Sequence, residues 1–278
     1  MVKLLDERQT FLAKYYIANA IHSRIRGRLN ALVLNRSAAR WDSLRATVAG
    51  HDTWLVVGNG PSLKADDLTA LRAIPSVASN KINLLFDKTP WRPTLYNIAD
   101  PLLLYKLPAA HFDDFDLSLL PHTVSSMAKT RNKLVWRMIP DDEGRRKYLE
   151  GAEELSPLNG FISGASITNP NLMFAMWAGA KTIYLIGCDH FYANEGHKDG
   201  TRKTAHPVAQ SHHFHPDYRK PGEIVNAAPI EWMNRGYALL RTIADKRGVR
   251  IINISRQTAL EAFERGTVEE AVAHIQAR

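Results

Sequence analysis

Residues 54–63 read WLVVGNGPSL, an apolar run that breaks into glycine, asparagine, proline and serine. The apolar run predicts a strand buried on both faces, as in a parallel sheet, because turn residues bound it. Gly58 and Gly60 can adopt positive φ and let another molecule approach the main chain. Ser62 is a natural N-cap for a helix over residues 63–73. Strand, glycine bend and helix start together predict a phosphate or nucleotide cradle, since free amides at a helix N-terminus attract anions.

The bend matches neither of the two common glycine-rich phosphate motifs. It lacks the spacing of G-x-G-x-x-G, the dinucleotide fingerprint, and of G-x-x-x-x-G-K-[ST], the P-loop. A tight turn between strand and helix that holds no ligand is the alternative interpretation.

The chain length and composition fit a soluble α/β protein. The 278 residues suffice for one large domain with additions or for two small domains, and 45% hydrophobic residues are ample for a core. The one cysteine, Cys188, excludes a disulfide framework and a multi-cysteine zinc site, and fits a reducing compartment. We find no signal peptide and no apolar stretch of about 18 residues, so we expect a cytoplasmic protein.

The net charge of +8 is concentrated near the start of the chain. Residues 1–50 contain nine Lys and Arg against three acidic residues, and their apolar positions are compatible with helix. We predict a basic helical N-terminal extension over residues 1–50. Residues 1–45 could contact the inner face of a membrane as a peripheral anchor, or their apolar side chains could pack on the main domain. No nucleic acid is expected, because no recognisable nucleic-acid module accompanies the basic residues.

Polar side chains follow each of the first three predicted strands. A second strand ends at Asn80, and a third ends near Asn97 and Asp100. In open parallel sheets ligands bind beyond the carboxyl ends of the strands, so these residues and Asn59 would converge at one site. Residues 106–160 are less periodic, and we interpret them as loops and peripheral elements.

The second half of the chain restores the strand and helix pattern. A polar loop over 163–169 precedes a helix over 170–178 and a strand over Thr182–Ile186, which runs into Asp189. A further helix begins near residue 231, a last strand reads VRIINIS, and TALEAFERG, residues 258–266, predicts a closing helix. In the helix that begins near residue 231, the residues predicted to face inward are Trp232, Tyr237, Leu240 and Ile243.

These elements predict an α/β, Rossmann-like fold, with a mostly parallel sheet and helices on both faces. The main, nucleotide-binding domain would span residues 51–278. Its long segment at about 190–228 has little regular pattern and is predicted to form a lid, since loops of that length are uncommon unless they cover a site.

The lid contains six histidines and is the source of the candidate catalytic groups. Imidazoles suit general acid and base catalysis, and with Asp217 they could also bind a metal, although the spacing matches no standard zinc pattern. His215 is the preferred base, and Asp217 could orient it. Asp100 and Asp189 could hold Mg²⁺ through substrate phosphates, or could cap loops. Cys188 at an apolar strand end is interpreted as a packed small hydrophobe and not as a nucleophile.

Several motifs in one order carry a resemblance to a known family. They are VVGNGPSL, SNKINLLF, LYNIADP, GAKTIYLIGCDHFY, FHPDY and RIINIS. Over about residues 52–265 the chain resembles the 6-hydroxymethylpterin diphosphokinase MptE-like family. It is also similar to the bacterial sialyltransferases of glycosyltransferase family forty-two and to motility-associated flagellin glycosylation factors, which share a Rossmann-like core.

The resemblance implies a set of ligand contacts. In the sialyltransferases a glycine-asparagine-glycine loop, later asparagines and a serine and threonine loop hold a CMP-sugar, and a histidine deprotonates the acceptor. The catalytic residues predicted here are His215, Asp217 and Tyr192, the tyrosine steadying the leaving phosphate. The predicted nucleotide-binding residues are Gly58, Asn59, Gly60, Pro61, Ser62, Asn80, Asn97, Asp100, Ser163, Gly164, Ser166, Thr168, Asp189 and His190.

We therefore expect a nucleotide-dependent transferase that uses a CMP-activated sugar for surface glycan or glycoprotein assembly. One alternative is transfer of diphosphate from ATP to a pterin alcohol, with Mg²⁺ as the cofactor. A second is a non-catalytic nucleotide-binding protein of a polysaccharide system. The expected partners are a nucleotide-activated donor, CMP-sugar or ATP, and a hydroxyl acceptor, glycan or pterin. Replacing Gly60 by valine is expected to abolish nucleotide binding and to leave the fold intact.

Overall fold

The computed structural model describes residues 34, 37–192, 212–220 and 228–277. In that part of the chain an eight-stranded, all-parallel sheet forms the centre of the protein, with helices on both of its faces. This confirms the predicted α/β, Rossmann-like fold. The strands of this sheet are β1 (Thr53–Val57), β2 (Ser76–Ser79), β3 (Leu95–Asn97), β4 (Ser118–Pro121), β5 (Lys133–Trp136), β8 (Thr182–Ile186), β9 (Arg250–Asn253) and β10 (Glu264–Arg265). A separate parallel pair is formed by β6 (Met138–Ile139) and β7 (Phe161–Ile162).

The strand order is β10-β9-β8-β1-β2-β3-β4-β5. The chain runs outward from β1 to β5, returns to β8 on the other side of β1, and continues outward to β10. The order therefore reverses between β1 and β8, which pair in register from Thr53 with Thr182 to Val57 with Ile186. In open α/β sheets this switch point, at the carboxyl ends of the strands, is where ligands bind.

The α-helices are named in chain order. They are α1 (37–48), α2 (Ala65–Ala70), α3 (Pro101–Lys106), α4 (Asp141–Arg145), α5 (Thr168–Trp177), α6 (Ile230–Lys246) and α7 (Val268–Gln276). Short 3₁₀ turns cover Ile82–Leu85, Ala109–Asp114 and Pro216–Tyr218, and a π turn covers Arg146–Glu150.

Strand β1 explains why the helices lie on two faces. Trp54 and Val56 pack into one hydrophobic core, which includes α1, α5 and α6, while Leu55 and Val57 pack into a second core, which includes α2 and α7. Successive side chains of a strand point to opposite faces, so a continuously apolar strand must be covered twice.

The end of the predicted N-terminal extension belongs to the main core. Trp41 of α1 is 2% exposed and stacks on Phe174 at 5.8 Å. Its indole N–H donates to the carbonyl of Val135 at 3.1 Å, and Arg40 donates to the carbonyl of Lys133 at 2.9 Å. These bonds cover the outer edge of β5, which would otherwise present unpaired carbonyl groups. Residues 1–33 lie outside the described residues.

Four details differ from the sequence-based expectations. Residues 106–160 include β4 and β5, which complete the sheet, and are not peripheral only. Helix α2 begins at Ala65 with Lys64 as its N-cap, so Ser62 is not the cap. Tyr237, Leu240 and Ile243 of α6 are buried as predicted, but Trp232 is 46% exposed.

The predicted helix over 258–266 is also wrong. The amide of Ala259 donates to the carbonyl of Asp189, and the hydroxyl of Thr258 donates to the carbonyl of Cys188. These bonds hold the segment against the end of β8 in a non-helical form, and the helix α7 begins only at Val268. Among the described residues, no helix is both long and apolar enough to cross a bilayer.

Candidate functional site

The glycine bend after β1 is bonded to the end of β8. Gly58 N–H donates to the carbonyl of Ile186 and Gly60 N–H to that of Gly187, both at 2.7 Å. Ser62 N–H donates to Asp189 Oδ2 at 2.7 Å, and the Ser62 hydroxyl donates to Asp189 Oδ1. All three of these amides are therefore occupied within the protein.

The two glycines are required by this close approach. A Cβ on Gly58 would lie 2.3 Å from the carbonyl oxygen of Gly187, and one on Gly60 would lie 2.6 Å from Asp189 Cγ. Both distances are shorter than real Cβ contacts, so any side chain would separate the two strand ends. The expectation that valine at position 60 leaves the fold intact is therefore wrong.

Asp189 sits where a cradled anion would be expected. It is 4% exposed, and burial raises the pKa of its carboxyl, an effect that the two Ser62 hydrogen bonds partly offset. A carboxylate bonded to the Ser62 amide would repel a phosphate at the same place. The bend thus brings two strands together, and no open set of glycine amides faces a ligand.

Two buried asparagine oxygens next to the bend have no hydrogen-bond partner among the described residues. They are Asn59 Oδ1 after β1 and Asn80 Oδ1 after β2. Asn80 has a positive φ of 60°, a conformation that Asn tolerates better than most residues. A buried acceptor left unpaired costs free energy, so two of them at the ends of neighbouring strands mark a candidate place for a ligand that donates hydrogen bonds.

The histidine-rich segment 212–220 docks over these strand ends. Phe214 N–H and His213 Nδ1 both contact the carbonyl of Asn59 at 3.2 Å. His213 stacks on the ring of Tyr218 at 3.8 Å, and Lys81 Nζ donates to the carbonyl of Tyr218 at 2.6 Å. Burial and, second to it, the charge of Arg219 lower the pKa of His213 to about 3. The segment therefore places a neutral imidazole against the bend. The rest of the predicted lid, 193–211 and 221–227, lies outside the described residues.

Arg219 ends this segment with a buried guanidinium nitrogen. Its Nη1 is buried and has no hydrogen-bond partner among the described residues. Its positive charge lowers the pKa values of His213 and Asp100, which places the guanidinium near both. A buried cationic donor without an acceptor is costly, so this atom also indicates a ligand contact.

Asn97 and Asp100 have structural bonds of their own. Asn97 is 0% exposed; its Nδ2 donates to Asn171 Oδ1 at 2.8 Å, and its Oδ1 accepts from Trp136 Nε1 at 3.1 Å. Asp100 is the N-cap of α3, accepting from the amides of Leu102 and Leu103. Burial raises the pKa of Asp100, against the opposing effect of these two bonds. The nucleotide contacts predicted for both residues stay predictions, and the geometry gives each a role in the fold.

The serine and threonine loop lies against α6 and the end of β8. Gly164 N–H donates to Asp141 Oδ1 at 2.9 Å, and the Ser166 hydroxyl contacts the Tyr237 hydroxyl at 2.9 Å. Thr168 Oγ1 lies 3.8 Å from Cys188 Sγ. The loop thus lies close to the end of β8. Ser163, whose carbonyl accepts from Ser166 N–H at 3.1 Å, closes its first turn.

His190 has the geometry of a proton acceptor. Its Nε2 lies 2.7 Å from Asn234 Oδ1 on α6, and because an amide oxygen only accepts, Nε2 carries the proton and Nδ1 the lone pair. Nδ1 is buried and has no hydrogen-bond partner among the described residues. The rings of Tyr192 and Tyr237 meet the imidazole edge-on at 5.5 Å each. Burial lowers the pKa of His190, against the Asn234 bond that raises it, so the ring is neutral at pH 7.

His215 and Asp217 are arranged differently. His215 is the N-cap of the turn Pro216–Tyr218, and its Nδ1 accepts from Asp217 N–H at 3.1 Å. This bond uses the lone pair that a neutral base would need. The Asp217 side chain is 82% exposed, and one carboxylate oxygen lies 3.8 Å from His215 Nδ1. Pro61 of the glycine bend, another of the predicted nucleotide contacts, is exposed as well.

The carboxylates near the site are not set up as magnesium ligands. Both oxygens of Asp189 accept from Ser62, and Oδ1 of Asp100 caps α3, so a magnesium ion at these oxygens would compete with those bonds. Within the described ranges, no three His, Cys, Asp or Glu side chains are grouped as metal ligands. Burial raises the pKa of Cys188 to about 12, in agreement with its interpretation as a packed small residue.

A cavity of about 390 Å³ lies elsewhere, against β8, β9, β10 and α7. Its polar groups are paired within the protein: the Tyr184 hydroxyl with His274 Nδ1 at 2.7 Å, and Arg250 with Glu264. Four buried polar atoms without a hydrogen-bond partner among the described residues, on Asn59, Asn80, His190 and Arg219, lie instead around the carboxyl ends of β1, β2 and β8. Others, such as Ser76 Oγ, Trp91 Nε1 and Arg247 Nε, lie in other parts of the fold. We take the strand ends as the candidate site because these four atoms come together at the switch point of the sheet.

Sequence reasoning missed the residues that complete this site. They are Lys81, His213, Tyr218, Arg219, Asn234 and Tyr237. Lys81 could have been found, because it directly follows Asn80 at a predicted strand end. Asn234 and Tyr237 are three residues apart on a predicted helix and so share a face, which is also visible in the sequence.

Comparisons of this chain with protein-family models, with curated proteins and with solved structures gave no match. The resemblance to the MptE-like family and to the sialyltransferases therefore stays a prediction.

Proposed function

We propose that the protein is a nucleotide-dependent transferase, and that its donor is a CMP-activated sugar. One observation carries the proposal: buried polar atoms without hydrogen-bond partners in the described residues surround the switch point, on Asn59, Asn80, His190 and Arg219. The two asparagines supply acceptor oxygens, His190 supplies a basic nitrogen and Arg219 supplies a cationic donor. A nucleotide offers hydroxyl and amino groups to the acceptors and a phosphate to the cation.

His190 supplies the chemistry that transfer to a hydroxyl needs. A general base must hold a lone pair within reach of the acceptor proton, and a neutral imidazole with its other nitrogen bonded is the usual arrangement. Asn234 provides that second bond. We therefore place the proton acceptor at His190 Nδ1 and give His215 the role of shaping the docked segment.

Glycosyl transfer is favoured over diphosphate transfer from ATP by the state of the carboxylates. Diphosphate transfer needs Mg²⁺, which is usually held by one or two carboxylates together with substrate phosphates. Asp100 and Asp189 both have backbone amides as partners. The non-catalytic alternative shares the nucleotide site and differs only in requiring nothing of His190.

The experiment is a ligand screen followed by a product assay. The melting temperature is measured with CMP, CDP, UDP, GDP and ATP, each with and without Mg²⁺, since a ligand of the native state raises it. The proposal expects a metal-independent rise with CMP, and release of CMP from a CMP-sugar in the presence of a hydroxyl acceptor. A rise that needs both ATP and Mg²⁺ would favour the diphosphokinase. CMP binding without turnover would favour the non-catalytic alternative.

A further inference from the structure

At the glycine bend, where the sequence predicts a phosphate cradle, three of the backbone amides are bonded within the protein. Gly58 and Gly60 donate to β8 carbonyls and Ser62 donates to Asp189. An anion at the bend would have to displace a buried carboxylate that is already bonded there. A positively charged group that binds the anion of a ligand must therefore lie elsewhere in the site.

Two cations lie on the other side of the bend, around Tyr218. Lys81 Nζ donates to the carbonyl of Tyr218 at 2.6 Å and lies 5.7 Å from the centre of its ring. Arg219 follows Tyr218 directly, and its Nη1 is buried and without a hydrogen-bond partner in the described part of the chain. No carboxylate of a described residue forms an ion pair with Arg219 within 4.0 Å, whereas Arg256 and Arg250, for example, each pair with a carboxylate.

The hydrogen-bond acceptors that a sugar or base would contact lie next to these two cations. The carbonyl of Asn59 is bonded to His213 and Phe214, while Asn59 Oδ1 has no hydrogen-bond partner among the described residues. The same holds for Asn80 Oδ1, and the Asn80 side chain contacts the Tyr218 hydroxyl. A cationic donor and two neutral acceptors thus surround one stacked pair, His213 on Tyr218.

We propose that the anionic group of the ligand binds Arg219, next to Lys81, and that its hydroxyl or amino groups bind Asn59 and Asn80. The ligand class is a phosphorylated sugar or nucleoside. This inference rests on the proposed function for the identity of the nucleotide, and it reverses the polarity predicted from the sequence, in which the glycine bend held the phosphate. An arginine suits this role because its planar fork matches a phosphate with two hydrogen bonds.

The test compares Arg219→Gln with Lys220→Gln, which removes the same charge from the exposed neighbouring position. Dissociation constants are measured for CMP, for cytidine and for inorganic pyrophosphate alone. A charge-assisted hydrogen bond predicts that Arg219→Gln weakens CMP and pyrophosphate binding about ten- to a hundredfold. Cytidine binding should change less than about twofold in both variants, as should CMP binding in Lys220→Gln. The melting temperature without ligand checks that Arg219→Gln is folded.

The outcomes separate this inference from the proposed function. If CMP binds the wild type and Arg219→Gln leaves its affinity unchanged, or weakens cytidine equally, the anion site is not at Arg219 and the proposed function stands. If CMP and cytidine do not bind, the proposed function fails, and loss of pyrophosphate binding in Arg219→Gln alone still supports the anion site. In that case, the inference would be overturned if pyrophosphate did not bind the wild type, or if it bound Arg219→Gln and Lys220→Gln equally well.

Discussion

Ser62 and Asp189, which are 127 residues apart, are joined by two hydrogen bonds that close the switch point of the sheet. The Ser62 amide lies 2.7 Å from one carboxylate oxygen, and the Ser62 hydroxyl donates to the other. This pair holds the end of β1 against the end of β8. It also places a carboxylate at the bend, which is why we propose that the ligand's phosphate binds Arg219.

The first prediction concerns Asp189. Asp189→Ala leaves the Ser62 amide without a partner and should lower the free energy of unfolding by about 1–3 kcal/mol, the cost of an unsatisfied buried group. Asp189→Asn can keep one bond to the amide and one to the hydroxyl, so its loss should be smaller. Urea unfolding at pH 7 measures both. Equal losses in the two variants would show that charge, and not hydrogen bonding, is what Asp189 contributes.

The sign of the pH dependence follows from the raised pKa of Asp189. A carboxyl whose pKa is higher in the folded than in the unfolded protein binds protons more tightly when folded. Its contribution to the free energy of unfolding is therefore greatest in acid and falls as the pH rises above the ordinary value of 3.8. Asp189→Asn should remove that part of the pH dependence. A wild-type and a variant curve that run parallel above pH 4 would contradict it.

The glycines of the bend give a second prediction. Gly58→Ala places a Cβ 2.3 Å from a backbone oxygen that has no flexible end to move. We expect a loss of about 3 kcal/mol in the free energy of unfolding. Gly179→Ala is the control: its Cβ would meet nothing within 4 Å, and only its φ of +105° is unfavourable. That variant should lose about 1–2 kcal/mol. A Gly58→Ala protein as stable as Gly179→Ala would mean that the strand ends are not in close contact.

His213 makes the docking of segment 212–220 dependent on pH. The pKa of His213 falls from 6.5 to about 3 in the docked state, so the undocked segment binds the proton between those values. Docking should therefore weaken as the pH falls below about 6.5, by up to about tenfold per pH unit. The Phe214 amide, which donates to Asn59, reports it through hydrogen exchange corrected for the intrinsic rate. His213→Gln should lose the pH dependence, and wild-type protection that is constant from pH 7 to 5 would refute the assignment.

The two candidate bases are distinguished by turnover. If His190 Nδ1 accepts the proton, His190→Gln should lower the rate of CMP release from a CMP-sugar about a hundred- to ten-thousandfold. His215→Ala should have a smaller effect, because Nδ1 of His215 is bonded to the amide of Asp217. A larger loss of turnover in His215→Ala than in His190→Gln would support His215 as the base, as predicted from the sequence. CMP binding by melting temperature shows that each variant still holds the nucleotide.

Trp41 tests where the folded domain begins. Trp41→Ala removes a buried aromatic side chain and the bond that covers the edge of β5, and should cost about 3–5 kcal/mol. A loss below about 1 kcal/mol would show that α1 is an accessory. A deletion meant to test membrane contact by the basic residues must end before residue 37, because removing residues 1–45 would also remove Trp41.

Much of the fold could be predicted because its central strands are continuously apolar. Trp54–Val57 and Thr182–Ile186 have this pattern and were placed correctly. Strand β5, KLVW, is only four residues long and lies among charged residues, and β10 consists of Glu264 and Arg265, which are exposed at the sheet edge. Short and exposed strands are stabilised by their neighbours and leave little trace in local sequence.

The sequence indicates which residues lie at the strand ends, but not the bonds that they make there. The glycine bend and the asparagines at strand ends lie where they were expected, because parallel strands bring their carboxyl ends to one edge. The partner of the Ser62 amide could not be predicted, since Asp189 reaches it only through the pairing of β1 with β8. Whether Arg219 Nη1 and His190 Nδ1 have a partner among the described residues likewise depends on which bonds the fold has already made.

The most direct test for a nucleotide site at these strand ends is the CMP-induced rise in melting temperature in the wild type and in Asn59→Ala. Asn59 Oδ1 is a buried acceptor without a partner in the described residues, and its Nδ2 makes only a long contact of 3.5 Å with Ser79. We expect that Asn59→Ala melts at the same or a higher temperature without ligand, and that CMP raises its melting temperature much less than that of the wild type. An equal rise in both proteins, or no rise in the wild type with any of the nucleotides, would contradict the claim that a nucleotide binds at these strand ends.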